Sequence, residues 1–189
     1  MQRWAFSIIL ALSLVTAGCR SSTRVPTISP VSAGGINTLS LTSSAFREGD
    51  TIPEKYTCDA ADVSPDLKWS GIPVGAKSLV LIADDPDAPA GTWMHWVLYN
   101  VPPDRTGLPE GVAKTPTVEG IGMQGINDSG NTGYNGPCPP KGKPHRYYFK
   151  LYALDITPDL KPGAAKADVE KVFRGHVLAQ GQLIGTYSR

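Results

Sequence analysis

This 189-residue sequence has little net charge, no long apolar run and only three histidines. The formal net charge is +1, with no basic stripe or acidic run, which argues against nucleic acid or a polyanion as the partner. No apolar run approaches the roughly 20 residues that a membrane-spanning helix needs. Neither a G-x-S-x-G nucleophile motif nor an H-x-x-x-H metal-ligand spacing occurs, so no hydrolase or metal site is indicated.

The N-terminus carries an export signal. Arg3 supplies a positive start, and an apolar run follows from Trp4 to Val15. Small residues then lead directly into Cys19, in a pattern that resembles the bacterial lipobox. We therefore expect residues 1–18 to be a signal peptide and Cys19 to be lipidated. Cleavage of an ordinary signal peptide nearby, releasing a soluble protein, is the alternative.

The segment after the cleavage site differs in composition from the rest of the chain. Residues 19–36 are rich in Ser, Thr, Pro and Gly without an apolar period, which predicts a flexible tether behind the lipidated cysteine. Arg20 resembles the residue that follows the cysteine in lipoproteins sent to an outer membrane. The predicted location is the cell envelope, facing the periplasm or the exterior. Residues 37–189 suffice for one domain with one core.

Two cysteines remain beyond Cys19. Cys58 and Cys138 are an even number in an exported chain, so a disulfide is physically allowed. The other interpretation is a pair of free thiols, one of them reactive.

Strand patterns dominate the predicted domain. The range from Tyr147 to Leu154 alternates most clearly, and only Ala165 to Val177 has a helical period. This combination favours an antiparallel β-sandwich or a partly open barrel with a helix appended. The other predicted strands are Leu39 to Phe46, Ser78 to Ala83, Trp93 to Val101, and Gln182 to Tyr187.

Acidic and histidine residues lie where these strands begin and end. Asp85 and Asp87 follow the second predicted strand on a proline-fixed turn, and His95 and His145 open two others. If they converge with Tyr147, they form an anion pocket. Backbone N–H groups of the loop at residues 133–138 could contribute to it. The alternative is that the aspartates form turns and the histidines are structural.

Several spaced motifs carry a family resemblance that extends from about Leu39 to Arg189. The chain resembles the phosphatidylethanolamine-binding proteins, and most closely their bacterial, Raf-kinase-inhibitor-like branch. The motifs are Cys58-Asp59, Asp62-Val63-Ser64-Pro65, Leu67-Lys68-Trp69, Asp85-Pro86-Asp87-Ala88-Pro89, His95-Trp96-Val97, Gly133-Tyr134, Gly136-Pro137-Cys138-Pro139-Pro140, Pro139-Pro140-Lys141-Gly142 and His145-Arg146-Tyr147.

The resemblance implies a mainly β fold, a two-sheet antiparallel sandwich with one or two short helices, and a small anion pocket at one end. It also implies a Cys58–Cys138 disulfide, a cis peptide bond before Pro89, and neither a metal nor another cofactor. His176 matches no pocket motif and is interpreted as structural. The pocket residues carried over by motif are Asp85, His95, His145 and Tyr147, with Asp87, Pro139 and Pro140 at the rim.

We therefore expect a non-catalytic, lipid-anchored binding protein whose ligand is a small anion such as a phosphate ester or a phosphorylated headgroup. The alternative is an inhibitor or regulator of a protein partner, a protease or a kinase, that acts through the loop from Gly120 to Lys143. A homodimer is expected on analogy alone. Eukaryotic members often have a second histidine where this chain has Met94, and their additional C-terminal helix has no evident counterpart.

Overall fold

The computed structural model describes residues 37–189. The predicted signal peptide, the lipidation site at Cys19 and the tether lie outside these residues. In the described part, no helix is both long and apolar enough to cross a membrane.

Ten strands and one α-helix make up the described chain. The strands are β1 (Asn37–Thr38), β2 (Ser40–Thr42), β3 (Leu67–Ser70), β4 (Ser78–Asp85), β5 (Trp93–Val101), β6 (Gly107–Leu108), β7 (Thr117–Val118), β8 (Gly122–Gln124), β9 (His145–Leu154) and β10 (Val177–Tyr187). Helix α1 spans Lys166–Phe173, and Glu54–Tyr56 forms a short 3-10 turn.

The strands form two sheets. A seven-stranded sheet has the order β1-β10-β9-β4-β5-β8-β7, and β2-β3-β6 form a smaller one. All pairings between these strands are antiparallel except that of β1 with β10. The expected mainly β class with two sheets and a helix is confirmed; the sandwich arrangement stays a prediction.

The position of β4 explains its unbroken apolar sequence. It lies between β5 and β9, and every one of its residues is buried. On one side of the large sheet, Leu81 and Phe149 share a core with Trp69 of the small sheet. On the other side, Val169 of α1 belongs to a second core with Val80. Burial on both faces thus fixes the strand that leads into the aspartates.

The structure corrects several predicted boundaries. The first predicted strand is wrong in extent, because the chain changes sheets at Leu39: β1 pairs with β10, whereas β2 pairs with β3. Strand β10 begins at Val177 rather than Gln182. The helix ends at Phe173, since Arg174 is extended and Gly175 has a φ of +84°. The predicted loop from Gly120 to Lys143 contains β8.

The expected cis bond before Pro89 is also wrong, because residues 37–189 contain no cis peptide bond. Ala88 to Gly91 forms a turn closed by a 3.0 Å hydrogen bond from the Gly91 N–H to the Ala88 carbonyl. Pro89 is the second residue of this turn, where a trans proline with its fixed φ fits.

Candidate functional site

One cavity lies at the end of the large sheet where β4 ends and β5 and β9 begin. Its volume is about 230 Å³. Of the seven residues predicted to bind a ligand, Asp87 alone is not in its lining. Their roles in binding stay a prediction. The six residues that the fold brings together are Asp85, His95, Pro139, Pro140, His145 and Tyr147.

A β-bulge directs His95 into this cavity. Ala83 pairs with Trp96, but the next residue of β4, Asp84, pairs with Met94, so His95 is the extra residue on β5. In a regular strand Met94 and Trp96, two residues apart, would lie on the same face. Because of the bulge they belong to different cores. The alternation of β5 in the sequence gives no sign of this irregularity.

Asp85 and His145 form a close pair at the floor. The Nδ1 of His145 lies 2.7 Å from Oδ2 of Asp85, whose side chain is only 4% exposed. The other carboxylate oxygen accepts a 2.8 Å hydrogen bond from the N–H of Asp87. The carboxylate is therefore held from both sides, and it orients the imidazole.

His95 is held by a loop rather than by a carboxylate. Its Nδ1 donates to the Asn135 carbonyl at 2.9 Å, and the Asn135 N–H donates to the His95 carbonyl at 3.0 Å. Burial lowers the pKa of His95, against the opposing effects of the Asn135 carbonyl and the Asp85 charge. At neutral pH the imidazole is therefore neutral, with its hydrogen on Nδ1.

The Tyr147 hydroxyl makes no well-aligned hydrogen bond within the part of the chain that the structure describes. The ring of Tyr147 meets that of His95 edge to face, with centroids 5.2 Å apart, and the residue is buried. Within residues 37–189 its buried Oη makes no hydrogen bond. Burial, then the charge of nearby Asp85 and the approach of its carboxylate to the hydroxyl, raise the pKa of Tyr147, so the hydroxyl keeps its hydrogen. The Asp85 carboxylate is near but not aligned with this hydroxyl, and a buried donor without an aligned acceptor is unfavourable.

Asp87 forms an ion pair with Arg146 beside the cavity. Its carboxylate accepts two hydrogen bonds from the Arg146 guanidinium, at 2.7 and 2.8 Å, and one from the Arg146 N–H. These hydrogen bonds lower the pKa of Asp87 to about 2. Asp87 therefore fixes the start of β9 next to His145, and it has no place in the cavity lining.

The disulfide predicted from the resemblance is confirmed. Cys58 and Cys138 are bonded, with their Cα atoms 5.4 Å apart, so the free-thiol interpretation is wrong. Cys138 lines the cavity. The bridge therefore anchors the proline-rich wall formed by Pro139 and Pro140.

Two N–H groups of the loop at residues 133–138, which were expected to contribute to the pocket, bond to other parts of the protein instead. The N–H of Asn135 donates to His95, and that of Gly136 donates to the Asp62 carboxylate. Gly136 is required here because a Cβ would lie 2.2 Å from the Tyr56 carbonyl oxygen. These two donors hold the wall rather than face a ligand.

Sequence reasoning missed part of the lining. Trp93 and Ser129 border the cavity but are not among the predicted ligand-binding residues. Trp93, which the sequence places only at the start of a predicted strand, is 37% exposed and leaves a large apolar ring partly in solvent at the cavity. His176 lies outside the cavity lining and pairs with Asp155 at 2.8 Å. No group of three or more potential metal ligands occurs within residues 37–189.

The fold is that of a small, mainly β domain with a cavity at the end of its large sheet. A family model described as phosphatidylethanolamine-binding protein matches residues 42–188. The UPF0098 protein of Methanothermobacter thermautotrophicus is 53% identical over 151 residues, which cover 80% of this chain and 99% of that relative. The UPF0098 protein of Aquifex aeolicus is 50% identical over 160 residues, covering 84% and 92% respectively. The chain belongs to the phosphatidylethanolamine-binding protein family.

Two crystal structures have the same fold. A phosphatidylethanolamine-binding protein homologue from Chlamydia trachomatis matches with a TM-score of 0.74 at 42% identity, covering 81% of this chain and 99% of its own. YbcL of Escherichia coli matches with a TM-score of 0.74 at 33% identity, covering 80% and 98%. None of these four relatives has the name of an enzyme.

Proposed function

We propose that this chain is a lipid-anchored, non-catalytic binding protein whose pocket takes a small anion, such as a phosphate ester or a phosphorylated headgroup. The observation that carries the proposal is the Tyr147 hydroxyl, which has no aligned hydrogen-bond acceptor within residues 37–189 and lies in a cavity that two histidines also line. An anionic oxygen in the cavity would give this hydroxyl its missing acceptor.

The lining also supports a ligand with an apolar part. Ala88, Pro89, Trp93 and Pro140 line the cavity together with the polar residues of its floor. A few polar groups in a mostly apolar cleft are typical of sites for small organic molecules. We therefore infer a small ester, with its ionised group at the histidines and its substituent against the prolines and Trp93.

The anchoring part of the proposal rests on the sequence around Cys19. The Cys58–Cys138 disulfide supports export, because structural disulfides are characteristic of oxidising compartments. We propose the cell envelope as the location, with the domain facing the periplasm or the exterior, and an outer membrane if the cell has one. The shared core of the two sheets supports the sandwich arrangement.

An NMR titration tests the pocket. Residues 37–189 can be produced alone, because the Methanothermobacter relative consists almost entirely of the matched part. Phosphate, phosphoethanolamine and acetate are added while the imidazole resonances are followed. We expect saturable shifts at His95 and His145 and none at His176, which pairs with Asp155 outside the cavity lining.

A matched pair of variants identifies the site. Asp85→Asn removes the carboxylate that orients His145, whereas Asp155→Asn makes the same change in the other Asp–His pair. The first should lose the response to anions and the second should keep it. If neither His95 nor His145 responds in the unmodified domain, the pocket does not bind these anions.

Regulation of a protein partner through the loop from Gly120 to Lys143 is the alternative. Asn135 and Pro140 of this loop line the same cavity, so the two hypotheses involve neighbouring surfaces. His145→Ala separates them. Loss of anion binding with inhibition intact would assign the partner to the loop, and loss of both would assign it to the pocket.

A further inference from the structure

One covalent link ties the wall of the cavity to the rest of the domain. The Cys58–Cys138 bridge joins the loop that follows the 3-10 turn to the loop that leads into β9. Both cysteines are exposed, whereas the core between the two sheets is buried. Structural disulfides resist reduction, and exposed ones are the labile bridges that exchange with other thiols. The position of this bridge therefore leaves it open to attack by a thiol from solvent.

Residues 138–141, the wall segment, depend on this bridge. Two prolines of the segment line the cavity, and neither has an N–H group to donate. Within residues 37–189, no backbone group of the wall segment is hydrogen-bonded to another backbone group. Such bonds resume on either side, where the Pro137 carbonyl accepts from the Cys58 N–H at 3.1 Å and the Gly142 N–H donates to the C-terminal residue at 3.2 Å. Opening the bridge would therefore free the segment between these two points.

The charges around the bridge differ at its two ends. Nη1 of Arg189 lies 3.8 Å from Sγ of Cys138, and Nε of the same guanidinium lies 2.9 Å from Oδ1 of Asp59. The Asp59 carboxylate, which directly follows Cys58, also accepts a 2.8 Å hydrogen bond from the Tyr187 hydroxyl. A cation stabilises a thiolate, and a thiol of lower pKa is the better leaving group. The arrangement therefore favours Cys138 as the sulfur that leaves and Cys58 as the sulfur that is attacked.

We propose that the Cys58–Cys138 bridge is a site of thiol–disulfide exchange with a dithiol, and that its reduction releases the wall segment of the cavity. One thiolate of the dithiol attacks Sγ of Cys58, the bond between the two sulfur atoms breaks, and Cys138 leaves with the electron pair as a thiolate. The second thiol of the partner then attacks the mixed disulfide and displaces Cys58. The dithiol becomes a disulfide and transfers two electrons and two protons, so both cysteines end as thiols. This inference does not depend on which ligand the cavity takes.

Reduction of the folded domain by dithiothreitol tests the exchange step. Residues 37–189 contain only these two cysteines, so alkylation and mass spectrometry measure the reduced fraction directly. The rate is compared at several urea concentrations below the unfolding transition. We expect the rate constant to change by less than about twofold, because local attack exposes little new surface. A bridge that opens only on global unfolding would be reduced at least ~5-fold faster for each molar increase in urea, and that result would overturn the proposal.

A variant at the C-terminus tests the direction of attack. Arg189→Gln removes the cation beside Cys138 and should slow reduction at least ~3-fold, since the leaving thiolate loses its stabilisation. Arg174→Gln removes an exposed charge just after α1 and should leave the rate unchanged. Glutathione, a monothiol, should form its mixed disulfide mainly at Cys58, which peptide mass spectrometry identifies. Equal attachment at both cysteines, with no effect of Arg189→Gln, would overturn the assignment of Cys138 as the leaving group.

The release of the wall segment is measured by ¹⁵N relaxation. After reduction, the amides of Cys138 and Lys141 should become mobile on the ps–ns timescale, while the resonances of β4 and β9 keep their positions. Replacement of both cysteines by serine should give the same mobile segment without a reductant. A segment that stays rigid after reduction, or a domain that unfolds as a whole, would overturn the proposed release. If the serine variant does not fold, the reduced unmodified domain decides alone.

Discussion

Removal of the Tyr147 hydroxyl should stabilise the domain when no ligand is added. Its Oη is buried without a hydrogen-bond partner within residues 37–189, and an unsatisfied buried polar group costs about 1–3 kcal/mol. The change Tyr147→Phe keeps the ring and its edge contact with His95. We expect the free energy of unfolding to rise by ~1 kcal/mol, which is a Tm increase of roughly 2–4 °C for a domain of this size.

The chain contains a matched control. Tyr134 is equally buried, but its hydroxyl donates to the Tyr56 carbonyl at 2.8 Å. Tyr134→Phe leaves that carbonyl without this donor and should lower the free energy of unfolding by ~1–2 kcal/mol. Urea unfolding with the disulfide intact measures both variants. Equal destabilisation by the two changes would show that Tyr147 has a partner after all, and that the pocket lacks a free donor.

Three further predictions concern the frame around the pocket. The folded-state pKa of Asp87 lies near 2, below the usual 3.8, so its contribution to stability is complete above pH 4 and is lost as the pH falls towards 2. In Asp87→Asn, the urea concentration at the unfolding midpoint should therefore change less between pH 4 and pH 2 than in the unmodified domain. An unchanged pH profile would mean that the pair with Arg146 contributes nothing to stability. Replacement of Cys58 and Cys138 by serine should lower the free energy of unfolding by about 4 kcal/mol, because the bridge closes a loop between residues 80 positions apart. A thiol reductant should cause the same loss in the unmodified domain and no further loss in the variant. Gly136→Ala should cost about 1–3 kcal/mol because its Cβ meets the Tyr56 carbonyl, and a stability equal to that of the unmodified domain would show that the wall can move aside.

Sequence patterns were informative where a strand is long and its environment uniform. The bounds of β5 were predicted correctly, β4 was recognised from its apolar run, and β9 from its alternation. Strands β6, β7 and β8 have two or three residues each, and such short strands depend on pairing rather than on a pattern of their own. The change of sheets at Leu39 is likewise set by the partners of β1 and β2.

The candidate site was predictable in its membership but not in its chemistry. The resemblance named six residues that the structure places around one cavity. The bulge at His95 and the use of both Nδ1 atoms depend on register and backbone carbonyls, which no local sequence pattern encodes. The missing partner of Tyr147 is a property of the packed structure and has no sequence signal.

The pairing of β1 has a consequence for how the domain would be displayed. Thr38 lies beside Gln180, whereas Tyr187, at the other end of β10, pairs with His145 of the pocket. At ~3.4 Å per residue, the seven steps along β10 separate the chain's entry point from the pocket by roughly 24 Å. For the predicted lipid-anchored form, the attachment point is therefore at the far end of the large sheet. A predicted flexible tether that enters at this end joins the domain away from the pocket and leaves the opening clear of the tether itself.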